Sequence, residues 1–327
     1  MSHLIRGLAG GGGIRVVAAD TTGLVEEARV RHEASPTAAA ALGRTLTGAL
    51  LLTHVLLKDH RDRLTVRFRG DGPLGGIIAE AGLDGSVRGY VRDPGVDLPL
   101  TDEGKLNVGA AVGQGELEVI RSLAPNGDPY TSSVDIVTGE IAEDFAIFLA
   151  MSEQVRSAIL LGVYLEHGRV VTAGGVLLQA LPDATDEQLA RLEHNVFALG
   201  QLTDALRAGS LLEAVNRLTD GLELEILTRD VLPLRFACRC SDERALDSLA
   251  YFSPAEREEM ITENGGAEVV CHWCGVKRFI GAEAIRSIPA SEIRCPDCNT
   301  LWYREGQALM VRENETCACG RKVELPA

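Results

Sequence analysis

Apolar and polar positions recur along this chain with two periods, and the changes between them mark out its elements. Residues 14–19 are a short apolar run read as a strand, with residues 24–30 as its partner across the Asp20-Thr-Thr-Gly23 turn. Ser35-Pro36 then opens a long helix, because proline suits the first helical position and Ala, Leu and Val run on to Leu57. Leu64, Val66 and Phe68 alternate with Thr65, Arg67 and Arg69, the period of a strand with one wet face. After the turn Gly70-Asp-Gly-Pro-Leu-Gly-Gly76, β-type runs are expected near residues 77–81, 87–91, 115–120 and 133–137. A helix is expected over 141–151, and two apolar strands over 158–165 and 170–178. Together these predict an α+β fold, with β-sheets packed by helices in an N-terminal body spanning residues 1–181. Gly10-Gly-Gly-Gly13 lacks the Lys-Ser/Thr of a phosphate loop and reads as a flexible entry to the first strand.

The pattern then changes. Residues 183–230 hold ten acidic residues and four arginines among Leu, Val, Ala and Ile at roughly helical spacing. This predicts a charged amphipathic helical linker over residues 182–230, and pattern alone favours an ordinary solvated helical segment. Further on, the 30 residues between Cys240 and Cys271 predict two short helices. The second has Ser253 as N-cap, Pro254 at its first position, Glu256 closing a capping box and Gly265-Gly266 as its stop.

All eight cysteines fall in the last 90 of 327 residues, as four tight pairs: Cys238/Cys240, Cys271/Cys274, Cys295/Cys298 and Cys317/Cys319. Two thiolates this close can occupy two corners of a tetrahedron around a thiophilic metal. The simplest division is a zinc-binding region over residues 231–285 and an extra ribbon-like tail over 286–327, with one zinc in each. A second pairing stays open, because Cys271/Cys274 with Cys295/Cys298 gives C-x2-C-x20-C-x2-C, close to ordinary ribbon spacing. Most sites with four cysteine ligands are structural. A disulfide within a C-x-C pair is sterically awkward, however, and strained disulfides are the labile, regulatory kind. The segment is also small for a self-sufficient core, so loss of a metal contributing on the order of 10–16 kcal/mol should unfold it.

Composition narrows the function classes. No secretory signal is read at the amino terminus, and the longest apolar stretch, residues 38–57, is interrupted by Arg44, Thr45, Thr47, Thr53 and His54. It reads as a buried helix and not a membrane span, so a cytoplasmic protein with reduced thiols is expected. The formal net charge of −15 repels phosphate backbones, and neither nucleic acid nor membrane is an expected partner. No nucleophile–base spacing or catalytic carboxylate pair stands out, so no enzymatic activity is expected. His272, inside Cys271-His-Trp-Cys274, reads as a neighbour of a metal already offered four thiolates.

Several segments taken together resemble a known family. Ala237-Cys-Arg-Cys-Ser-Asp-Glu-Arg244 and Ile261-Thr-Glu-Asn-Gly-Gly-Ala-Glu-Val-Val-Cys-His-Trp-Cys274 are similar to the redox-switch region of the bacterial thirty-three-kilodalton heat-shock chaperonins. Ser35-Pro-Thr-Ala-Ala-Ala-Ala-Leu-Gly-Arg44, Gly70-Asp-Gly-Pro-Leu-Gly75, Thr138-Gly-Glu-Ile-Ala-Glu-Asp144 and Ala173-Gly-Gly175 resemble their body. The resemblance implies an ATP-independent holdase that is idle while reduced and zinc-bound. Oxidation would join Cys238 to Cys240 and Cys271 to Cys274, expel zinc, unfold the switch and linker, and let the protein, as a homodimer, capture unfolding client proteins. The likeness covers roughly residues 4–285, and the tail with its four further cysteines departs from the pattern.

Two other classes compete. A zinc-ribbon nucleic-acid binder is disfavoured by nine acidic against five basic side chains over residues 238–283, although Trp302 and Tyr303 sit in a tail balanced at six against six. A thiol oxidoreductase would open a helix with its C-x-x-C in a βαβ setting, which neither motif here does.

Overall fold

The helix Pro36–Leu56 is buried on nearly every side, with only Pro36, Arg44, His54 and Val55 partly open to solvent. In the computed structural model, which describes residues 2–123, 128–227, 232–288, 292–294 and 301–304, the chain divides into two compact units, Met1–Cys238 and Arg239–Ala327. The apolar helix lies at the centre of the first.

In chain order that unit comprises β1 (His3–Ala9), β2 (Ile14–Asp20), α1 (Thr22–His32), α2 (Pro36–Leu56), β3 (Arg63–Gly70), β4 (Ile77–Ala81) and β5 (Ser86–Val91). There follow α3 (Val108–Val112), β6 (Gly115–Ser122), β7 (Tyr130–Ile136), α4 (Ala142–Ser152), β8 (Ser157–Glu166) and β9 (Arg169–Ala180). Three helices come next, α5 (Asp186–Leu199), α6 (Leu202–Ala208) and α7 (Leu211–Leu218), then the two-residue strands β10 (Glu225–Ile226), β11 (Leu232–Pro233) and β12 (Arg235–Phe236). One sheet has the order β10-β1-β2-β9-β8, with β11 also on β1, and the other β12-β5-β4-β3-β6-β7. Among the described residues, only the β12–β5 pair is parallel.

Helix α2 packs on both sheets, which explains why its sequence is apolar all round. Its start follows from Ser35, whose Oγ accepts from Ala38 N, and from Pro36 at the first position. Buried Thr45, Thr47 and Thr53 return their hydroxyls to the helix, as in Thr47 Oγ1 to Gly43 O at 2.7 Å, and Thr37 donates to Asp97, so none is left unsatisfied by the apolar surroundings. Gly48 is required by close approach, since a Cβ there would lie 2.2 Å from the Phe145 ring. By length and apolarity α2 would pass for a membrane span, but 83% of its apolar window is buried in this unit.

The sequence expectation fails in two places. Residues 24–30 are not a strand but part of α1, whose buried Leu24, Val25 and Ala28 lie on one helical face. The valines there suggested a strand, and packing of α1 against α2 and β9 overrides that propensity. Likewise, the tetraglycine is not a free entry. It is the turn between β1 and β2, with Gly13 N bonded to Gly10 O at 3.1 Å.

Helices α5–α7 cover the face of the first sheet opposite α2. Leu192, Leu199, Leu202, Ala205, Leu211, Val215 and Leu218 close over Ile14, Val16 and Ala18 of β2 and Val176 and Leu178 of β9. Strand β9 is therefore buried on both faces, and reads as a continuous apolar run. Asn195, buried among these helices, donates to Leu218 O and Asp220 O and ties α5 to the end of α7.

The second unit contains α8 (Asp242–Leu249), α9 (Pro254–Asn264), β13 (Gly266–Val270), β14 (Lys277–Gly281), α10 (Ala282–Arg286) and the short antiparallel pair β15 (Glu292–Arg294) and β16 (Leu301–Arg304). Helix α9 begins and ends as its sequence predicts, with the Ser253–Glu256 capping box and Gly265 in the left-handed conformation at φ 71°. Its described core is small: Ala245, Leu249, Ile261, Ala267, Ile280 and Ile285.

Candidate metal centre

Two local structures present the described cysteines. Strand β12 lies on β5 with Arg235 opposite Ser86 and Phe236 opposite Val87, and Ala237 N continues the ladder to Val87 O at 2.8 Å. Phe236 is buried there, edge-on to the His32 ring at 6.2 Å. This fixes the backbone immediately before Cys238. Cys240 precedes Ser241, which caps α8 by accepting from Arg244 N.

The other pair sits in the turn of the β13–β14 hairpin. Cys274 N and Gly275 N both donate to Cys271 O, at 3.2 and 2.8 Å, and Cys271 N donates to Val276 O. Gly275 has φ 68°, a value that favours glycine and lets the chain fold back under the two sulfurs.

The sulfurs of Cys238, Cys240, Cys271 and Cys274 all lie within 4.8 Å of one another, with Cys240 and Cys274 at 3.5 Å. Zinc–sulfur bonds of about 2.3 Å in a tetrahedron place sulfurs about 3.8 Å apart, so this four-thiol set is close enough to bind one ion. Cys274 is buried, the other three are half-buried, and none of the four is in a disulfide. His272 is not in the set. Cys295, Cys298, Cys317 and Cys319 lie outside the described residues.

Two arginines at the C-x-C sulfurs escaped the sequence reading. Arg88 of β5 points its Nη1 at Cys238 Sγ, 3.9 Å away, and Arg278 of β14 points its Nη1 at Cys240 Sγ, 3.3 Å away. Burial alone would pull the Arg88 pKa down, but Glu80 and the Cys238 sulfur outweigh it and hold the pKa above its ordinary value. For Arg278, too, desolvation is outweighed by Cys240 and Asp242, and the pKa is raised. Arg88 is 150 residues from Cys238, and no spacing rule joins them. Arg278 follows the C-x-x-C motif so closely that it reads as solvated charge.

The family model described as Hsp33 protein matches residues 2–280. The chain is 53% identical to a 33 kDa chaperonin of Thermus thermophilus, over 100% of its own length and 98% of that relative. It is 52% identical to the 33 kDa chaperonin of Deinococcus radiodurans, over 89% of this chain and 99% of the relative. The crystal structure of the 33 kDa chaperonin from Thermotoga maritima superimposes with a TM-score of 0.81 at 33% identity, covering 88% of this chain and 97% of that one. The cysteine-bearing tail lies beyond the family model but inside the match to the Thermus protein. Family model, sequence relatives and solved structure agree, and the chain belongs to the Hsp33 family.

Proposed function

We propose that this chain is a redox-regulated, ATP-independent holdase of the bacterial cytoplasm, and not an enzyme. The observation that carries the reading is the gathering of four cysteine sulfurs, none in a disulfide, within 4.8 Å. Cys238, Cys240, Cys271 and Cys274 hold zinc in the reduced protein, and zinc keeps all four sulfurs as thiolates at neutral pH. Peroxide takes two electrons from each neighbouring pair, forming the Cys238–Cys240 and Cys271–Cys274 disulfides and two waters per peroxide, with uptake of two protons. The donor set is then gone. A unit whose described core is six residues depends on that metal for its fold.

Residues 182–230 are the releasable segment in this reading. Helices α5–α7 cover an apolar sheet face, and lifting them uncovers Ile14, Val16, Ala18, Val176 and Leu178 together with their own leucines. That is the surface offered to unfolding clients, and the acidic charge keeps the complexes apart in solution. The active form is a homodimer, and nucleic acid and membrane are not its partners.

The test combines zinc counting with an aggregation assay. Reduced protein should hold zinc and leave a thermally unfolding client to aggregate. Peroxide with mild heat should release the zinc and switch on protection without ATP. Equal protection in both redox states would defeat the regulation, and none in either would defeat the holdase.

A further inference from the structure

Each sulfur of the C-x-C pair faces a guanidinium that is itself held by a carboxylate. In the first unit, Glu80 lies directly across the sheet from Arg88 and accepts from its Nε at 3.2 Å and its Nη2 at 3.1 Å, while Nη1 is left to face Cys238 Sγ. Both side chains of this ion pair are largely buried, at 13% and 17% exposed, so solvent screens them little. In the second unit, Asp242 accepts from Arg278 Nε at 2.8 Å, Cys240 O accepts from Nη2 at 3.5 Å, and Nη1 faces Cys240 Sγ. The same carboxylate–arginine–sulfur arrangement is thus built twice, from unrelated segments, at two sulfurs separated by one residue.

We propose that Arg88 and Arg278 are positioning residues that set the oxidant threshold of the zinc–thiolate switch, an inference that rests on the function proposed above. Four thiolates around one divalent cation carry two excess negative charges. A charge-assisted N–H donor aimed at a thiolate offsets that charge and occupies a sulfur lone pair. Oxidation begins when such a lone pair attacks a peroxide oxygen. The O–O bond breaks, leaving a sulfenic acid and a hydroxide that takes up a proton. The second thiolate then displaces hydroxide from the first sulfur, and the disulfide forms. Density drawn toward a guanidinium slows the first step, and the same contact strengthens the metal site. The two carboxylates keep each arginine aimed at sulfur.

The test reads zinc and not chaperone activity. Reduced full-length Arg88→Met and Arg278→Met proteins are challenged with a graded chelator, then with peroxide, and released zinc is followed with a chromophoric chelator. Each variant should retain zinc about tenfold more weakly than wild type and release it several-fold faster under peroxide. Asp242→Asn guards against misfolding as the cause, since the Asp242 side chain is 87% exposed and its loss only frees Arg278. It should shift release in the same direction by less. Unchanged retention and release in both arginine variants, or slower release, would overturn the proposal while leaving the switch intact. A wild-type chain that holds no zinc when reduced, or keeps it under peroxide, would overturn the underlying reading and this inference with it.

Discussion

Gln188 Nε2 donates a 2.9 Å hydrogen bond to the carbonyl oxygen of Gly10, joining the first turn of α5 to the tetraglycine turn of the β1–β2 hairpin. The same side chain accepts from Thr185 N through Oε1, so one residue both caps the helix and docks it. Leu181 N adds a bond to Gly13 O at 2.8 Å. The glycine is needed for this approach: a Cβ on Gly13 would lie 3.0 Å from Ala184 Cα and 2.8 Å from Gln188 Oε1.

Replacing either partner should loosen the linker without oxidant. In reduced, zinc-bound Gln188→Leu or Gly13→Ala protein, amide exchange across residues 186–199 should rise about fivefold to tenfold, the effect of losing about 1 kcal/mol of hydrogen bonding. Exchange in the central strands of the second sheet should not change. Wild-type protection over 186–199 in both variants would show that the turn does not hold α5.

Asp144 is a second anchor, fully buried at the start of α4. It accepts from Val137 N, Thr138 N and Ile141 N at 2.8, 3.0 and 3.2 Å, and Ile141 sits at φ 70°, a conformation that side chains other than glycine's rarely adopt. Asp144→Ala would strand these donors and leave Ile141 unsupported, at a cost of about 2–4 kcal/mol. The urea midpoint of the reduced protein should fall accordingly, with zinc content unchanged. A midpoint equal to wild type would rule out the anchoring role.

The legibility of this chain divides by the range of the interaction. Ser253, Pro254, Glu256 and Gly265 predicted α9 to the residue because capping is local. Alternation along β3 and apolarity along α2 were equally plain, since one face or all faces are buried. The α1 segment reads as a strand because its valines favour one, and only tertiary packing makes it a helix. The cysteine pairs mark a candidate metal site through their spacing, yet only the parallel β12–β5 pairing places Arg88 beside Cys238. For the same reason the tetraglycine reads as slack in the sequence, although Gln188 needs the room it leaves.

His54, near the end of α2, makes the body acid-sensitive. Both ring nitrogens are buried with no hydrogen-bond partner, and burial, with Arg6 and His60 nearby, pushes its pKa down to about 4. Its folded pKa lies below the unfolded value of 6.5, so the unfolded chain takes up the proton first as pH falls. The resulting loss of stability begins below about pH 6.5 and is complete below about pH 4, where it reaches about 3 kcal/mol. His54→Leu removes that loss and the unpaired ring nitrogens together. Urea midpoints of wild type and variant should diverge from pH 6.5 to 4.5, the variant falling less. Parallel curves would show that His54 is not the titrating group.

The cysteines of the tail test how many metal centres the chain carries. Cys238, Cys240, Cys271 and Cys274 already form one complete set, so Cys295, Cys298, Cys317 and Cys319 have no need to share it. The match to the Thermus relative over this whole chain shows that the tail is not peculiar to it. Two independent tetrathiolate sites should bind two zinc ions per reduced chain. Changing Cys295 and Cys298 to serine should remove one ion and leave the other, still releasable by peroxide. The second ion has a further consequence, because a metal site that closes its own loop resists unfolding of the chain next to it. Reduced double-variant protein should therefore show faster amide exchange in α10 than wild type, and should lose its remaining zinc at a lower peroxide dose. Loss of both ions would point to the crossed pairing of Cys271 and Cys274 with Cys295 and Cys298, and a single ion in the wild type would remove the second site altogether.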